Sequence, residues 1–577
     1  MAGVSNTIDL PDYALERLER YRPLLGSDWD GFLAALRRPL PVAAWRNARR
    51  ISQPELERWF TEVEPGAALE SLPWFDLGYR IRDIGPDRPR PRSGHPQPGH
   101  PPQGHSPRPG NRLARALGLI HLQEEVSMIP AVLLDPQPGE LVLDLCGAPG
   151  NKTALVASRM HGTGTVVCND TDLKRLRAGR PAWTRLGLAN ITATNHDGGS
   201  FPGAHGSYDR VLVDAPCSGE GTSRRQVSSL RPGPPGYYRM LHGRQRRLLE
   251  RALALCRPGG RVIYSTCTYA PEEDELVVAD VLEQYRRRGR FQESGSHEQA
   301  RHNGFDVELL PARIEGLSGS PGITEWHGRQ LTPELSNTLR VWPHQNDSGG
   351  FFVAVLRKRA RGAPAGAGGA RSREGGARPG PSGGAKDSGD DPASRRPENN
   401  TPLGPACRPT DPAPYLSLLS TRFGMEPASL RDDYLFFVCG RKYLYYLSRD
   451  HRVPPGPEIV FGGIRFMRTS MKVPKLTTEA AVAHGELATK NTLVLDTAQA
   501  ARFLARKSAT LSQRQCSSCE GPGYVFVRYG GQTLGMGYLH GPESDAVAEA
   551  RTASQTGEPY LESWFPKEWG EVVSIRS

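Results

Sequence analysis

At 577 residues the chain is long enough for several domains, and a hydrophobic share of 37% supplies real cores, which excludes wholesale disorder. A net charge of +11 and a pI near 9.2 call for a polyanionic partner. The membrane version of that partner is excluded, because no apolar run approaches the roughly eighteen residues a span needs and the first nine residues, Met1 to Asp9, carry neither region of a signal peptide. Nine unevenly spaced cysteines make no disulfide framework, so they read as free thiols in a reducing, cytoplasmic setting.

Residues 1–85 read as an α-rich module. Helical apolar spacing runs from Tyr13 and again from Trp29 to Leu36, and Pro54 opens a further helix in its first turn. Arg46, Arg49 and Arg50 are candidates for phosphate contacts or for an ordinary solvated face. Residues 86–110 are dominated by Pro, Gly, Arg and His, a composition that cannot offset the entropy of ordering, and they read as a disordered insertion. His95, His100 and His105 recur there every five residues with no fold around them, so no metal is assigned.

From residue 111 to 358 the pattern alternates strand and helix. Leu141 to Leu145 is a buried strand, followed by a tight turn from Cys146 to Asn151 and a helix from Lys152. Gly162 to Cys168 leads into a second strand that ends at Asp170, and a basic helix covers Asp172 to Leu186. Asn190 to Thr194 is the third strand, Val211 to Val213 the fourth and Arg261 to Ser265 the fifth. Helices span Tyr238 to Leu255 and Glu272 to Tyr285, and Gly350 to Leu356 is a late strand. Repeated units of this kind predict an α/β fold with a mostly parallel, doubly wound, Rossmann-like sheet.

Such sheets bind ligands beyond the carboxyl ends of their strands. The turn after the first strand lacks the glycines of a triphosphate loop, because Cys146 and Asn151 stand in their places, and the dinucleotide pattern is missing as well. What remains is a glycine-bearing turn, Asp170 after the second strand and Asp197 after the third. Either acid alone is an ordinary helix cap. Together in one crevice they suit a nucleoside-bearing ligand such as S-adenosylmethionine. Cys217 and Cys267 lie just past two further strands, where chemistry is expected.

These stretches resemble the RNA cytosine-C5 methyltransferases of the NSUN, RsmB and RsmF type. The resemblance rests on Asp144 to Thr153 (Asp-Leu-Cys-Gly-Ala-Pro-Gly-Asn-Lys-Thr), Asp214 to Thr222 (Asp-Ala-Pro-Cys-Ser-Gly-Glu-Gly-Thr) and Ser265 to Tyr269 (Ser-Thr-Cys-Thr-Tyr). Gly118 to Met128 and Val341 to His344 fit the same pattern, and one departure is Asn151, where the family has glycine. The resemblance implies that Cys267 adds to the C6 carbon of cytosine, that Cys217 assists release, and that Asp214 holds the base, with Lys152 close by. For S-adenosylmethionine it implies Cys146, Gly147, Ala148, Pro149, Gly150 and Lys152 around the methionine part, and Asp170 on the ribose. Asp197 falls near the adenine amine, and Arg175 and Asp214 complete the set. The target cytidine must be unpaired or flipped out, since a stacked base hides both faces. Arg224, Arg225, Arg244, Arg246 and Arg247 are candidates for the RNA backbone.

Residues 359–414 form a second Gly, Pro, Ala, Ser and Arg tract, read as a disordered linker. Residues 415–577 read as a β-rich region from the strand patterns at Tyr434 to Cys439, Tyr443 to Leu447 and Gly523 to Tyr529. The segments Gly530 to Tyr538 and Trp564 to Trp569 resemble the PUA-like end of the RsmF subgroup, which implies an RNA-docking module. Cys516 and Cys519 form a lone pair with no second pair, so zinc is not assigned. The whole reading is a monomeric RNA methyltransferase acting on ribosomal RNA, with transfer RNA second and a catalytically silent RNA-binding scaffold as the alternative of another class.

Overall fold

The computed structural model describes residues 8–83, 112–293, 305–360, 407–454, 456–471, 473–541 and 558–566. The 86–110 insertion and residues 361–406 of the linker lie outside the described residues, as do the three spaced histidines. Of the linker's far end, Cys407–Pro409 is a strand and Ala413 already starts a helix. Among the described residues no helix is long and apolar enough to cross a membrane.

Five parallel strands make the centre of a ten-stranded sheet, in the order Cys256–Thr266, Tyr208–Asp214, Leu141–Asp144, Thr165–Asn169, Ile191–Thr194. Their central residues are buried, because helices cover both faces. On one face pack Ile129–Leu134, Asn151–Arg159 and Leu173–Arg185, and on the other Tyr237–Leu255 and Glu275–Glu293. The flanks differ from the mostly parallel expectation. Phe351–Ala360 pairs antiparallel with Cys256–Thr266, and Phe305–Leu310, Leu339–Val341 and Ser320–Pro321 extend that side. On the other side Ile459–Gly462, from the C-terminal region, pairs antiparallel with Ile191–Thr194. The sheet is therefore mixed around a parallel core.

The N-terminal helices fall at Asp12–Glu19, Trp29–Leu36 and Gln53–Glu62, the last started by a reciprocal Ser52 and Glu55 capping box. They accompany a four-stranded sheet in which Ile120–Leu122, from the lead-in to the large sheet, pairs with Val42–Arg46. One core joins this module to the C-terminal region: Trp59 and Phe60 share it with Phe503, Val525 and Tyr529. That region holds two five-stranded sheets, and the strand patterns at 434, 443 and 523 all fall within them.

The reading of nine free thiols is corrected here. Cys407 and Cys439 face each other across paired strands and form a disulfide, leaving seven free cysteines. A sequence separation of 32 residues hides that juxtaposition. Among the described residues no group of three His, Cys, Asp or Glu side chains is placed to hold a metal ion.

Candidate active site

Asp214 ends one strand and Ser265 lies opposite it in the parallel neighbour. Parallel strands deliver their following residues to the same edge, so Cys217 and Cys267 meet there with their sulfurs 3.4 Å apart. Lys152 Nζ donates to Asp214 Oδ2 at 2.8 Å, and the Ser265 hydroxyl donates to Asp214 Oδ1 at 3.0 Å. Burial opposes the Lys152 charge, but the Asp214 carboxylate outweighs it and the lysine pKa is raised. The hydrogen bond with Cys267, then burial, pushes the Cys217 thiol well above its ordinary value.

Neighbouring elements hold the Cys217 loop. The Ser218 amide donates to Glu273 Oε2 at 2.9 Å, and Gln245 Nε2 donates to Pro216 O and to Glu273 Oε2 at 3.0 and 2.8 Å. The Gly221 amide donates to Cys267 O at 2.9 Å, and a Cβ on Gly221 would stand 2.3 Å from Gly350 O, so only glycine fits. Glu220, fully buried, accepts from Arg17 Nε, Tyr21 Oη and Tyr238 Oη at 3.0, 2.5 and 2.6 Å, which ties the N-terminal helix to the loop.

On the other side of the crevice the turn from Cys146 to Gly150 joins the first strand to the helix Asn151–Arg159. Gly150 has φ +104°, and a Cβ there would fall 2.3 Å from the Trp183 ring, whose Nε1 donates to Gly150 O at 3.0 Å. Gly147 is hemmed in by the Cys168 sulfur, 2.5 Å from its would-be Cβ. Pro149 is exposed and Cys146 half-buried, its thiol pKa raised by burial. Asp170 is buried and accepts from the Ala148 and Asp172 amides at 3.1 and 2.9 Å, while Arg175 Nη2 donates to Ala148 O at 2.7 Å. Asp197 is exposed and caps a short turn, taking bonds from Gly199 N and Ser200 Oγ at 3.4 and 3.1 Å. Asn151 opens its helix in ordinary right-handed geometry, so no glycine is needed, and it meets His121 Nε2 at 3.1 Å.

Two expectations change. Arg224 does not face RNA: it is 3% exposed and donates to the carbonyls of Arg38, Pro39 and Ser348 and to Asp347, which makes it a strut between segments. Arg225, Arg244, Arg246 and Arg247 are exposed. Arg50, by contrast, is half-buried, and burial lowers its pKa. Asp144 opens one of the motifs named above but is given no role there, although an acid ending a buried strand is a visible signal. Its Oδ2 accepts the Thr153 hydroxyl at 2.6 Å, its Oδ1 has no partner, and burial lifts its pKa to about 7 against that hydrogen bond.

Residues 131–357 match the family model described as 16S rRNA methyltransferase RsmB/F. A tRNA (cytosine(49)-C(5))-methyltransferase of Pyrococcus abyssi is 36% identical over 345 residues, covering 59% of this chain and 95% of the relative. The chain belongs to the RsmB/F family. Ribosomal RNA small subunit methyltransferase F of Aeromonas hydrophila is 28% identical over 542 residues, covering 92% of this chain and 94% of that one. A crystal structure of a methyltransferase homologue from Pyrococcus horikoshii overlaps 60% of this chain and 99% of its own, at 29% identity and a TM-score of 0.46. As a member of the RsmB/F family the chain is an S-adenosylmethionine-dependent RNA cytosine-C5 methyltransferase.

The residues present fit that cofactor. Glycines 147 and 150 let the turn pack tightly on Cys168 and Trp183, which fixes its backbone at the carboxyl edge of the sheet. Asp170 keeps spare lone pairs beyond its two amide bonds. The orphaned Asp144 oxygen is buried, and an ammonium group is a partner suited to it.

Proposed function

We propose that this RsmB/F enzyme methylates an unpaired cytidine of ribosomal RNA through a covalent thiol adduct. The observation that carries the reading is the pair of sulfurs at 3.4 Å beside the Lys152 and Asp214 ion pair. Cytosine C5 is too weak a nucleophile alone, so the Cys267 thiolate adds to C6, forming an S–C6 bond and pushing electron density to C5. Bound S-adenosylmethionine supplies an electrophilic methyl group that C5 then takes. Asp214, ion-paired with Lys152, accepts from the exocyclic amine, and the Lys152 ammonium steadies the charge that develops on the ring.

Release follows from the same thiols. Once Cys267 is bonded to carbon, the hydrogen bond that is the largest cause of the raised Cys217 pKa is gone. Cys217 can then give up its own proton to solvent and, as thiolate, take the C5 proton, the C5–C6 double bond reforms, and Cys267 leaves as thiolate. The Cys146 to Gly150 backbone and Lys152 would hold the methionine part, Asp170 the ribose, Asp197 the adenine amine, and Arg175 the turn itself.

Ribosomal RNA is favoured because the relative matching nearly the whole chain is named for it, whereas the Pyrococcus abyssi tRNA enzyme matches 59%. We place the enzyme in the cytoplasm as a monomer, with the N-terminal module and the PUA-like C-terminal region docking RNA. Two measurements test this. Cys217→Ala should trap a covalent RNA complex on a denaturing gel while Cys267→Ala forms none, and the reverse pattern refutes the roles. Bisulfite sequencing of total RNA from a deletion strain should lose one or more ribosomal sites, and loss confined to transfer RNA refutes the substrate.

A further inference from the structure

We propose that a cavity beside the Cys217 loop seats the nucleotide next to the target cytidine, a reading that rests on RNA methylation as proposed above. The cavity has a volume of about 260 Å³ and opens between the helix Asp12–Glu19 and the start of the helix Tyr237–Leu255. Arg17, Gly233, Tyr237, Tyr238 and Arg239 line it. None of them has a part in the chemistry described so far.

Its position follows from bonds already given. Tyr238 donates to Glu220, three residues after Cys217, and Gln245 on the same helix grips the Pro216 carbonyl. Tyr237 precedes Tyr238 in the first turn of that helix, so it stands beside the same loop. The cofactor turn follows a different strand and belongs to the other side of the crevice. The target base must reach both sulfurs. A cavity flanking Cys217 is left for what the target base is attached to.

Its chemistry suits that occupant. The Tyr237 ring is half-exposed and lies against Gly233, where a Cβ would come 2.4 Å from the ring. It is therefore held in place before any ligand arrives. Arg17 is anchored by Glu220 and lies 4.8 Å over the Tyr238 ring, and Arg239 is exposed at the rim. A cavity lined by an aromatic face and two guanidinium groups takes a planar, anionic ligand: a nucleobase stacks on the phenol and its phosphate meets the arginines.

The test uses the full chain and a short synthetic RNA carrying the cytidine mapped by bisulfite sequencing, with copies lacking the base on its 5′ or 3′ side. Wild type should lose about tenfold in kcat/KM, through KM, on one of the two abasic RNAs. Tyr237→Ala should show that loss on the intact RNA and be indifferent to the missing base. Gly233→Ala, which displaces the ring without removing it, should follow Tyr237→Ala. Calorimetric affinity for S-adenosylhomocysteine should stay unchanged in both. A wild type equally active on all three RNAs overturns the cavity, and so does a Tyr237→Ala loss that falls on kcat with KM unchanged. A wild type that methylates no RNA overturns the wider reading instead.

Discussion

Asp144→Asn tests how the crevice recognises its cofactor. The Asp144 side chain is buried, with one oxygen on Thr153, the other unpartnered, and a pKa of about 7. A group with that pKa is about 90% protonated at pH 6 and about 10% at pH 8. An ammonium bound against the free oxygen requires the carboxylate, so S-adenosylhomocysteine should displace about 0.9 proton from this group at pH 6 and about 0.1 at pH 8. Affinity should accordingly climb with pH toward about 7, approaching tenfold per unit well below it, and then level off. The sign for stability is the opposite: the folded pKa is raised, so this group's contribution to the ligand-free protein is fully present below the unfolded value of 3.8 and is lost as pH rises through 7. Calorimetry in two buffers of different ionisation enthalpy counts the protons directly. Asp144→Asn should abolish this release, weaken binding and flatten its pH dependence. Wild type releasing no proton at pH 6, or a variant releasing as many, refutes the assignment.

Gly150→Ala should destabilise the catalytic domain by about 2–4 kcal/mol in urea and weaken S-adenosylhomocysteine at least tenfold, because a left-handed φ and the Trp183 ring both exclude a side chain. Wild-type behaviour would show that the turn moves freely. Thiol titration in denaturant without reductant should count seven groups, and nine after reduction. Nine at the first step would refute the Cys407 and Cys439 bond.

The parallel core was legible because strands buried on both faces leave apolar runs, and the turns after them keep glycine and acid at readable positions. Starts and ends fall within one residue at Leu141–Asp144 and Leu173–Arg185, whereas the helix expected to stop at Tyr285 runs to Glu293 and the strand expected from Arg261 starts at Cys256. The antiparallel flanks were not legible. Ser320–Pro321 is only two residues long, and the place of Ile459–Gly462 depends on a partner more than 250 residues away. The site divides in the same manner. Cys217, Cys267 and Asp214 sit in contiguous motifs at strand ends, whereas Glu273, Gln245 and Arg17 reach the loop from separate elements, and no spacing in the chain announces them. Arg224 misled because an arginine beside a catalytic loop looks the same in sequence whether it faces phosphate or four acceptors of its own protein.

The Ile459–Gly462 strand sets a limit on how the enzyme can be cut. It seals the outer rim of the Ile191–Thr194 strand, and Phe461 lies against Trp183, the same indole that bonds Gly150. A fragment stopped after residue 358 would keep the three methyltransferase motifs yet bare a row of amide and carbonyl groups, inviting copies to stick edge to edge. It would also take away one wall of the indole's packing. Shortened versions for crystallisation or engineering therefore need this distant strand, supplied in the chain or added back as a peptide.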